Sequence, residues 1–198
     1  MYQVILSSSD KLAALLLVAL LCLGLLLSPP AVRVVAYQIP AHPEVYQTGE
    51  PAFVYRLSQH IVKTYHVSAA LADAVVANTL EAAHRTRLPL TLLLAVAAVE
   101  SSFQPYAQSK TGAVGLMQVQ PAAHPELQAG PTELQQVRPN LLAGAAILQT
   151  YMQQTGGDLP RALQRYNGAR HDRHAKYSHK VMERMREFRL VLAGQADA

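Results

Sequence analysis

The chain has 198 residues, of which 51% are hydrophobic and 15% are charged, and its formal net charge is +4. This composition excludes an intrinsically disordered protein, and the length suits one domain with a short extension. The one cysteine, Cys22, lies in an apolar N-terminal stretch, so the rest of the chain has no intramolecular disulfide and no thiol nucleophile.

The first 36 residues have the pattern of an export signal. An uncharged apolar stretch, Leu12–Leu27, follows Lys11 and ends at a Ser-Pro-Pro sequence, and the small residue Ala36 suits a cleavage site. An uncleaved membrane anchor is the alternative reading, with the apolar stretch continuing towards Val35. We expect residues 1–36 to take the protein to the periplasm or cell envelope as a signal peptide or an anchor.

The rest of the chain is predicted to be mainly α-helical. Residues 37–52 contain three prolines and predict a linker or irregular segment, and residues 53–198 predict one helical domain. Apolar residues at helical spacing and capping residues predict three helices before the loop: over 53–65, from an N-cap at Ser68 to His84, and from Pro89 to Glu100. Three more are predicted after it: from an N-cap at Asn140 through Met152 to a stop at Gly156–Gly157, from Pro160 to Tyr166 with Asp158 as its cap, and over 176–192. Prolines and glycines after Phe103 predict a loop, with a short hairpin at 109–119.

Glu100 is an acid at the end of the most apolar predicted helix. Burial and the negative end of the helix dipole both disfavour its ionised form, so we expect a raised pKa. A carboxyl group that keeps its proton near neutral pH is what cleavage of a glycosidic bond requires. Taken alone, Glu100 fits an acid that reaches solvent at a helix end better than a catalytic group.

The residues after Glu100 favour a binding site. Gly112 and Gly115 allow the backbone to approach a bound molecule closely, and Gln118 offers an uncharged donor and acceptor for sugar hydroxyl and amide groups. Met117 can pack on the face of a sugar ring, although methionine in this setting is more often part of a core.

Four short motifs follow one another along the chain: Glu-Ser-Ser-Phe at 100–103, Ser-Lys-Thr-Gly-Ala-Val-Gly-Leu-Met-Gln-Val at 109–119, Asn-Leu-Leu-Ala-Gly at 140–144 and Tyr-Asn-Gly at 166–168. Their order and spacing resemble the lytic transglycosylases of the soluble, goose-lysozyme-like family, over roughly residues 70–185. The resemblance implies a lysozyme-like α-helical domain that cleaves the β-1,4 bond between N-acetylmuramic acid and N-acetylglucosamine in peptidoglycan.

The resemblance also implies roles for individual residues. Glu100 matches the catalytic acid and base, and Ser109 matches a serine that orients the muramic acid. Residues that bind substrate or line the cleft match Gly115, Met117, Gln118, Tyr166 and Asn167. The sequence departs from the family pattern at Ile147, where many members have tyrosine, and at Gln120, where they often have an apolar residue. These departures concern the sugar subsites rather than the acid.

The sequence offers Glu100 no evident carboxylate partner, since Glu81 is the only other acid between Asp73 and Glu126. The resemblance implies a route with a single acid, in which Glu100 protonates the glycosidic oxygen and then deprotonates the muramic acid 6-hydroxyl, giving a 1,6-anhydro sugar. The Tyr166 hydroxyl is expected to point towards the substrate N-acetyl group or Glu100. Tyr151 and Tyr177 are interpreted as wall or core aromatics, with Tyr177 a lesser candidate for the cleft.

We expect neither a cofactor nor a metal site. The three histidines His171, His174 and His179 lack the Cys or Glu partners of familiar zinc sites, and basic neighbours would repel a cation. From Arg161 onward there are nine Lys or Arg residues against four acids, which suits an anionic polymer. A solvated helix face explains this charge equally well, and nothing resembling a base-stacking or groove-reading motif supports nucleic acid as the partner.

The expected protein is therefore a monomer that acts on peptidoglycan glycan strands. Small members of this kind often accompany envelope-spanning secretion, conjugation or pilus machines. Three alternatives stay open: a hydrolytic muramidase on the same fold, a non-catalytic peptidoglycan-binding or scaffold protein, and a membrane-anchored structural protein. The presence of Glu100 argues against the second, and the loop at 109–119 has no explanation in the third.

Overall fold

The described part of the chain is built from α-helices joined by short loops and one long loop. The structure is a computed structural model that describes residues 51–168 and 175–195. Within these residues there are seven α-helices and no β-strand, which confirms the mainly α fold. The helices are α1 (Pro51–Tyr65), α2 (Ala69–Thr86), α3 (Leu90–Ser101), α4 (Pro131–Leu134), α5 (Val137–Gln154), α6 (Leu159–Tyr166) and α7 (Lys176–Leu192).

Most helix boundaries agree with the sequence predictions. Ser68 and Asp158 are the N-caps of α2 and α6, and each side chain accepts a hydrogen bond from a backbone N–H of the first turn. Helix α7 covers the predicted residues 176–192. Helix α1 begins at Pro51, two residues before its predicted start, and Pro89 is the N-cap of α3 rather than a residue of its first turn.

The predicted N-cap at Asn140 is wrong. Helix α5 begins at Val137, with Gln136 at the N-cap, so Asn140 lies inside the helix. Proline is tolerated in the first turn of a helix because the N–H that it lacks has no partner there, and Pro139 therefore does not delay the start of α5. The Asn140 side chain is fully buried and serves the long loop instead.

Helix α3 lies at the centre of the fold. Every residue from Leu90 to Ala98 is buried, as the uniformly apolar sequence predicts. Helices α2 and α7 both pack against α3, and α5 packs against α2. Glu100 therefore lies at the end of a helix that is buried on all sides up to Ala98.

The long loop between α3 and α4 forms the hairpin-like segment expected at 109–119, but only as isolated antiparallel bridges. Val114 pairs with Gln108 on one side and with Val119 on the other. Its backbone N–H and the carbonyl of Val119 are 2.8 Å apart, and the reverse bond is 3.0 Å. Two 3₁₀ turns, Pro121–Ala123 and Pro125–Leu127, follow.

The predicted export segment, residues 1–36, lies outside the described residues, as does most of the irregular segment predicted at 37–52. None of the described helices combines the length and the apolar character that crossing a membrane requires.

Candidate active site

Glu100 lies in the last turn of α3, where the chain turns sharply. Ser102 and Phe103 both have left-handed backbone conformations, with φ of 51° and 60°. The strain of two consecutive non-glycine residues in this region is offset by the burial of Phe103, whose ring packs edge-on against Tyr65 at 4.8 Å and Phe188 at 6.2 Å. This anchor ends the helix and holds the acid at the border of the core.

The Glu100 carboxyl group is half-buried and faces a cavity of about 290 Å³. Burial raises its pKa above the usual value for glutamate, as the sequence predicts. A hydrogen bond from Tyr177 opposes this shift, because it stabilises the ionised form. Burial is the larger effect, so the group favours the protonated form more than a solvated glutamate would.

Tyr177, in the first turn of α7, is the closest described partner of this acid. Its hydroxyl group donates to Oε1 of Glu100 at 2.5 Å. Burial and the neighbouring carboxylate raise the pKa of the phenol well above its usual value, so Tyr177 stays neutral and remains a donor. From the sequence alone, Tyr177 is only a lesser candidate for the cleft. Its helical spacing with Val181 and Phe188 places it on the buried face of α7, but the spacing does not reveal that this face meets Glu100.

Two predicted binding residues, Ser109 and Gln118, line the same cavity. The Ser109 hydroxyl group accepts hydrogen bonds from the backbone N–H groups of Thr111 at 3.2 Å and Ala113 at 2.9 Å. The Gln118 side-chain NH₂ donates to the carbonyls of Ala107 at 3.0 Å and Gly115 at 3.1 Å. Both side chains therefore stabilise the loop as well as facing the cavity.

Asn140 determines the shape of this loop, a role that its sequence pattern does not predict. Its side-chain NH₂ donates to the carbonyls of Val114 at 2.8 Å and Leu134 at 2.7 Å. Its side-chain oxygen accepts the backbone N–H of Met117 at 2.7 Å. A fully buried amide with three such partners fixes the loop conformation, since each unpaired group would be costly. The motif at 140–144 was the available signal, although it does not say which groups Asn140 binds.

Gly115 and Met117, also predicted to bind substrate, lie behind the cavity wall. Gly115 has φ of 81°, and a Cβ atom there would collide with the Asn140 side chain and the Leu134 carbonyl. The backbone of Gly115 therefore makes its close approach to the Asn140 side chain. The Met117 side chain is fully buried, and neither residue is among the described residues that line the cavity.

Tyr166 and Asn167 line the Glu100 cavity from the end of α6, as the resemblance implies. The Tyr166 hydroxyl donates to the carbonyl of Met117 at 2.9 Å, rather than to Glu100 as the sequence analysis allowed. Gly144 makes this arrangement possible, because a Cβ atom there would lie 2.6 Å from the Met117 sulfur and 2.9 Å from the Tyr166 oxygen.

Glu100 is the only acid among the described residues that line the cavity. The departures from the family pattern, Gln120 and Ile147, also contribute to the wall. The described lining consists of Glu100, Ser109, Thr111, Ala113, Gln118, Val119, Gln120, Ala123, His124, Ile147, Tyr151, Arg165, Tyr166, Asn167 and Gly168.

No group of three or more metal-ligating side chains occurs within residues 51–168 and 175–195. Of the three histidines weighed as metal ligands, His171 and His174 lie outside these ranges, and His179 is exposed on α7.

Comparison with known proteins identifies the family. No curated protein is significantly similar to the chain in sequence. The family model described as the transglycosylase SLT domain matches residues 77–186, more than half of the chain. The matched range includes Glu100, the loop at 109–119, Asn140, Tyr166 and Tyr177. The chain therefore belongs to the transglycosylase SLT domain family.

Proposed function

We propose that this protein is a peptidoglycan lytic transglycosylase that cleaves the MurNAc-β-1,4-GlcNAc bond and leaves 1,6-anhydroMurNAc ends. The observation that supports it best is the environment of Glu100. This acid is half-buried in a polar cavity, has a raised pKa, and accepts a hydrogen bond from a neutral tyrosine. Family membership supports peptidoglycan as the substrate, and the position of Glu100 in the cavity supports its role as the acid.

In the first step Glu100 acts as a general acid. Its raised pKa favours the protonated form more than in a solvated glutamate, and the Tyr177 hydroxyl group donates to Oε1, which leaves Oε2 to deliver the proton to the glycosidic oxygen. The bond between C1 of the muramic acid and this oxygen breaks, and the N-acetylglucosamine leaves with a new hydroxyl group. The N-acetyl group of the substrate stabilises the positive charge that develops at C1.

In the second step Glu100 acts as a general base. It is now a carboxylate, and the Tyr177 hydroxyl group stabilises its charge. Glu100 takes the proton from the muramic acid 6-hydroxyl while the 6-oxygen bonds to C1. The anhydro ring closes, no water is consumed, and Glu100 regains the proton that it lost.

The absence of a second carboxylate among the described cavity residues supports this route over ordinary hydrolysis. Glycosidases that use two carboxylates hold them about 5–9.5 Å apart on either side of the bond. Here the other polar side chains among the described lining residues are uncharged or basic. We assign Ser109, Gln118, Tyr166 and Asn167 to substrate binding, and Gly115 and Met117 to shaping the loop that carries Gln118.

The products of digestion test this proposal. Purified protein is incubated with peptidoglycan sacculi, and the released fragments are analysed by mass spectrometry. A lytic transglycosylase yields fragments lighter by one water than those of a hydrolase. Hydrated reducing ends alone would identify a muramidase, and binding without cleavage would identify a glycan-binding or scaffold protein.

The substrate also implies a location in the cell envelope. We propose that residues 1–36 direct export, either cleaved after Ala36 or kept as an anchor, and that the enzyme opens the wall for an envelope-spanning secretion, conjugation or pilus machine. N-terminal sequencing of the protein from fractionated cells distinguishes a cleaved signal from a retained anchor. A terminus at Tyr37 indicates cleavage, and an intact terminus in the membrane fraction indicates an anchor.

A further inference from the structure

A second cavity, larger than the first, adjoins the Glu100 cavity. Its volume is about 810 Å³, and its described lining consists of Tyr151, Gln154, Thr155, Arg161, Gln164, Arg165 and Gly168. Three of these residues, Tyr151, Arg165 and Gly168, line the Glu100 cavity as well. The two cavities therefore lie side by side, and Arg165 borders both.

The second cavity is polar and basic. Its described lining includes two arginines and no carboxylate. The charge of Arg161 is partly compensated, because Asp158 lies 3.3 Å from its guanidinium group. Arg165 instead donates to the neutral side-chain oxygen of Gln154 at 2.7 Å, and no carboxylate of the described residues pairs with it. Arg165 is thus positioned by Gln154, and among the described residues no carboxylate compensates its charge.

The helix dipole explains part of the preference for a basic residue at position 165, but it does not explain where the side chain lies. Arg165 lies in the last turn of α6, where the helix dipole favours a cation. The dipole would be served equally by a side chain directed to solvent. It does not account for the bond to Gln154 at the end of α5, which holds the guanidinium group of a residue that borders both cavities.

The substrate proposed for the Glu100 cavity carries a matching group. In peptidoglycan, the lactyl group of each muramic acid bears a peptide stem with free carboxylates, and this stem projects sideways from the glycan strand. Arginine binds carboxylates through two parallel hydrogen bonds as well as by charge. We infer that Arg165, with Arg161 and Gln154 beside it, binds a carboxylate of the peptide stem, so that the protein prefers strands that carry stems. This inference rests on the proposed function of the Glu100 cavity.

The test compares kcat/KM on three glycan substrates: uncrosslinked strands with native stems, the same strands stripped of stems by an amidase, and strands whose stem carboxylates have been converted to amides. We expect the wild-type protein to prefer native stems over both others by about two- to tenfold, the range for a solvent-accessible charged hydrogen bond. Arg165→Gln should reduce this preference towards one. Arg165→Lys should keep part of it, because the charge remains while the paired geometry is lost.

Arg186→Gln is the matched control. Arg186 is an exposed arginine on α7, outside both cavities, and its replacement makes the same change in net charge. This variant should keep the wild-type preference for native stems. An equal loss in both variants would show a general effect of charge and overturn the inference.

Two further results would overturn it. One is a ratio of native to amidated strands that is the same in Arg165→Gln as in the wild type. The other is a larger loss for Arg165→Gln on stripped strands, because these expose the lactyl carboxylate of the muramic acid, which would then be the group bound.

A binding measurement separates this inference from the proposed function. Fluorescence anisotropy with labelled native and stripped strands gives the ratio of their dissociation constants for the wild-type and Arg165→Gln proteins. If the wild-type protein cleaves none of the strands, the proposed function is wrong. The change in the binding ratio still decides whether Arg165 recognises the stems.

Discussion

On the helical side of the Glu100 cavity, Glu100 in α3 and Tyr177 in α7 are 77 residues apart in sequence and are joined by a short hydrogen bond. On the loop side, Ser109 and Gln118 form hydrogen bonds with nearby backbone groups, and Asn140 forms two hydrogen bonds with the loop and one with the end of α4. The segment with the longest family motif therefore mainly gives the cavity its shape. The proposed chemistry depends on a pair of residues of which only one lies in a motif. Substitutions on the helical side should mainly change the activity, and substitutions on the loop side should mainly change the stability.

The largest effect should come from Glu100→Gln, which removes the proposed acid and keeps its size. We expect a loss of activity on sacculi of about 10²- to 10⁴-fold, the usual contribution of a general acid, with glycan binding kept. The rate of release of anhydro-muropeptides measures the loss. Activity near the wild-type level would remove Glu100 from the mechanism.

The stability of the same variant provides its control. Because burial raises the pKa of Glu100, the folded protein disfavours the carboxylate, and this penalty appears as the pH rises through the raised pKa. Glu100→Gln should therefore unfold at a higher temperature than the wild type at neutral pH. The difference should shrink at a pH below the unfolded-state pKa, where both side chains are neutral. A variant less stable at neutral pH would contradict the burial of the acid.

On the loop side, Asn140→Leu should mainly reduce stability. The substitution keeps a similar volume but leaves the Met117 N–H and the carbonyls of Val114 and Leu134 without their partner. We expect the free energy of unfolding to fall by about 3 kcal/mol, measured by urea denaturation. Thr79→Val is the matched control: it removes a buried hydroxyl that bonds only within α2, and it should cost about 1 kcal/mol. Equal losses would show that Asn140 has no special role.

Tyr177→Phe should change the pH dependence of the reaction. Removing a donor to the carboxylate raises the pKa of Glu100 further, so the fall in kcat/KM at high pH should move to higher pH. The second step should slow, because the carboxylate loses its stabilising bond, and we expect a loss in kcat of about tenfold. A lower rate with an unmoved pH profile would indicate that Tyr177 only packs.

Tyr166→Phe should have the smallest effect, and it tests the two sides directly. Its hydroxyl group bonds to the carbonyl of Met117, so the structure places Tyr166 with the loop although the residue lines the cavity. We expect a loss of about 1 kcal/mol in the free energy of unfolding. The high-pH limb of kcat/KM should stay in place. Movement of that limb would connect Tyr166 to Glu100 and break the distinction.

The helices were predictable from the sequence because their signals are local. The caps at Ser68 and Asp158 and the uniformly apolar α3 follow from neighbouring residues. The sequence favours an N-cap role for Asn140 because asparagine is a common N-cap residue, and only the folded loop shows that its amide group binds elsewhere. The same holds for Tyr177: its position on the buried face of α7 follows from local sequence, whereas its contact with Glu100 depends on how α3 and α7 pack.

The three bonds of Asn140 have a consequence for the dynamics of the loop. The Met117 N–H lies in a segment without regular secondary structure, where amide protons usually exchange quickly with solvent. Here it is bound by a side chain 23 residues further along the chain and fully enclosed. Its exchange with deuterium should therefore require the separation of α5 from the loop, and should be as slow as exchange in the central helices. Among the described residues, this part of the loop would then be one of the last to open rather than one of the first.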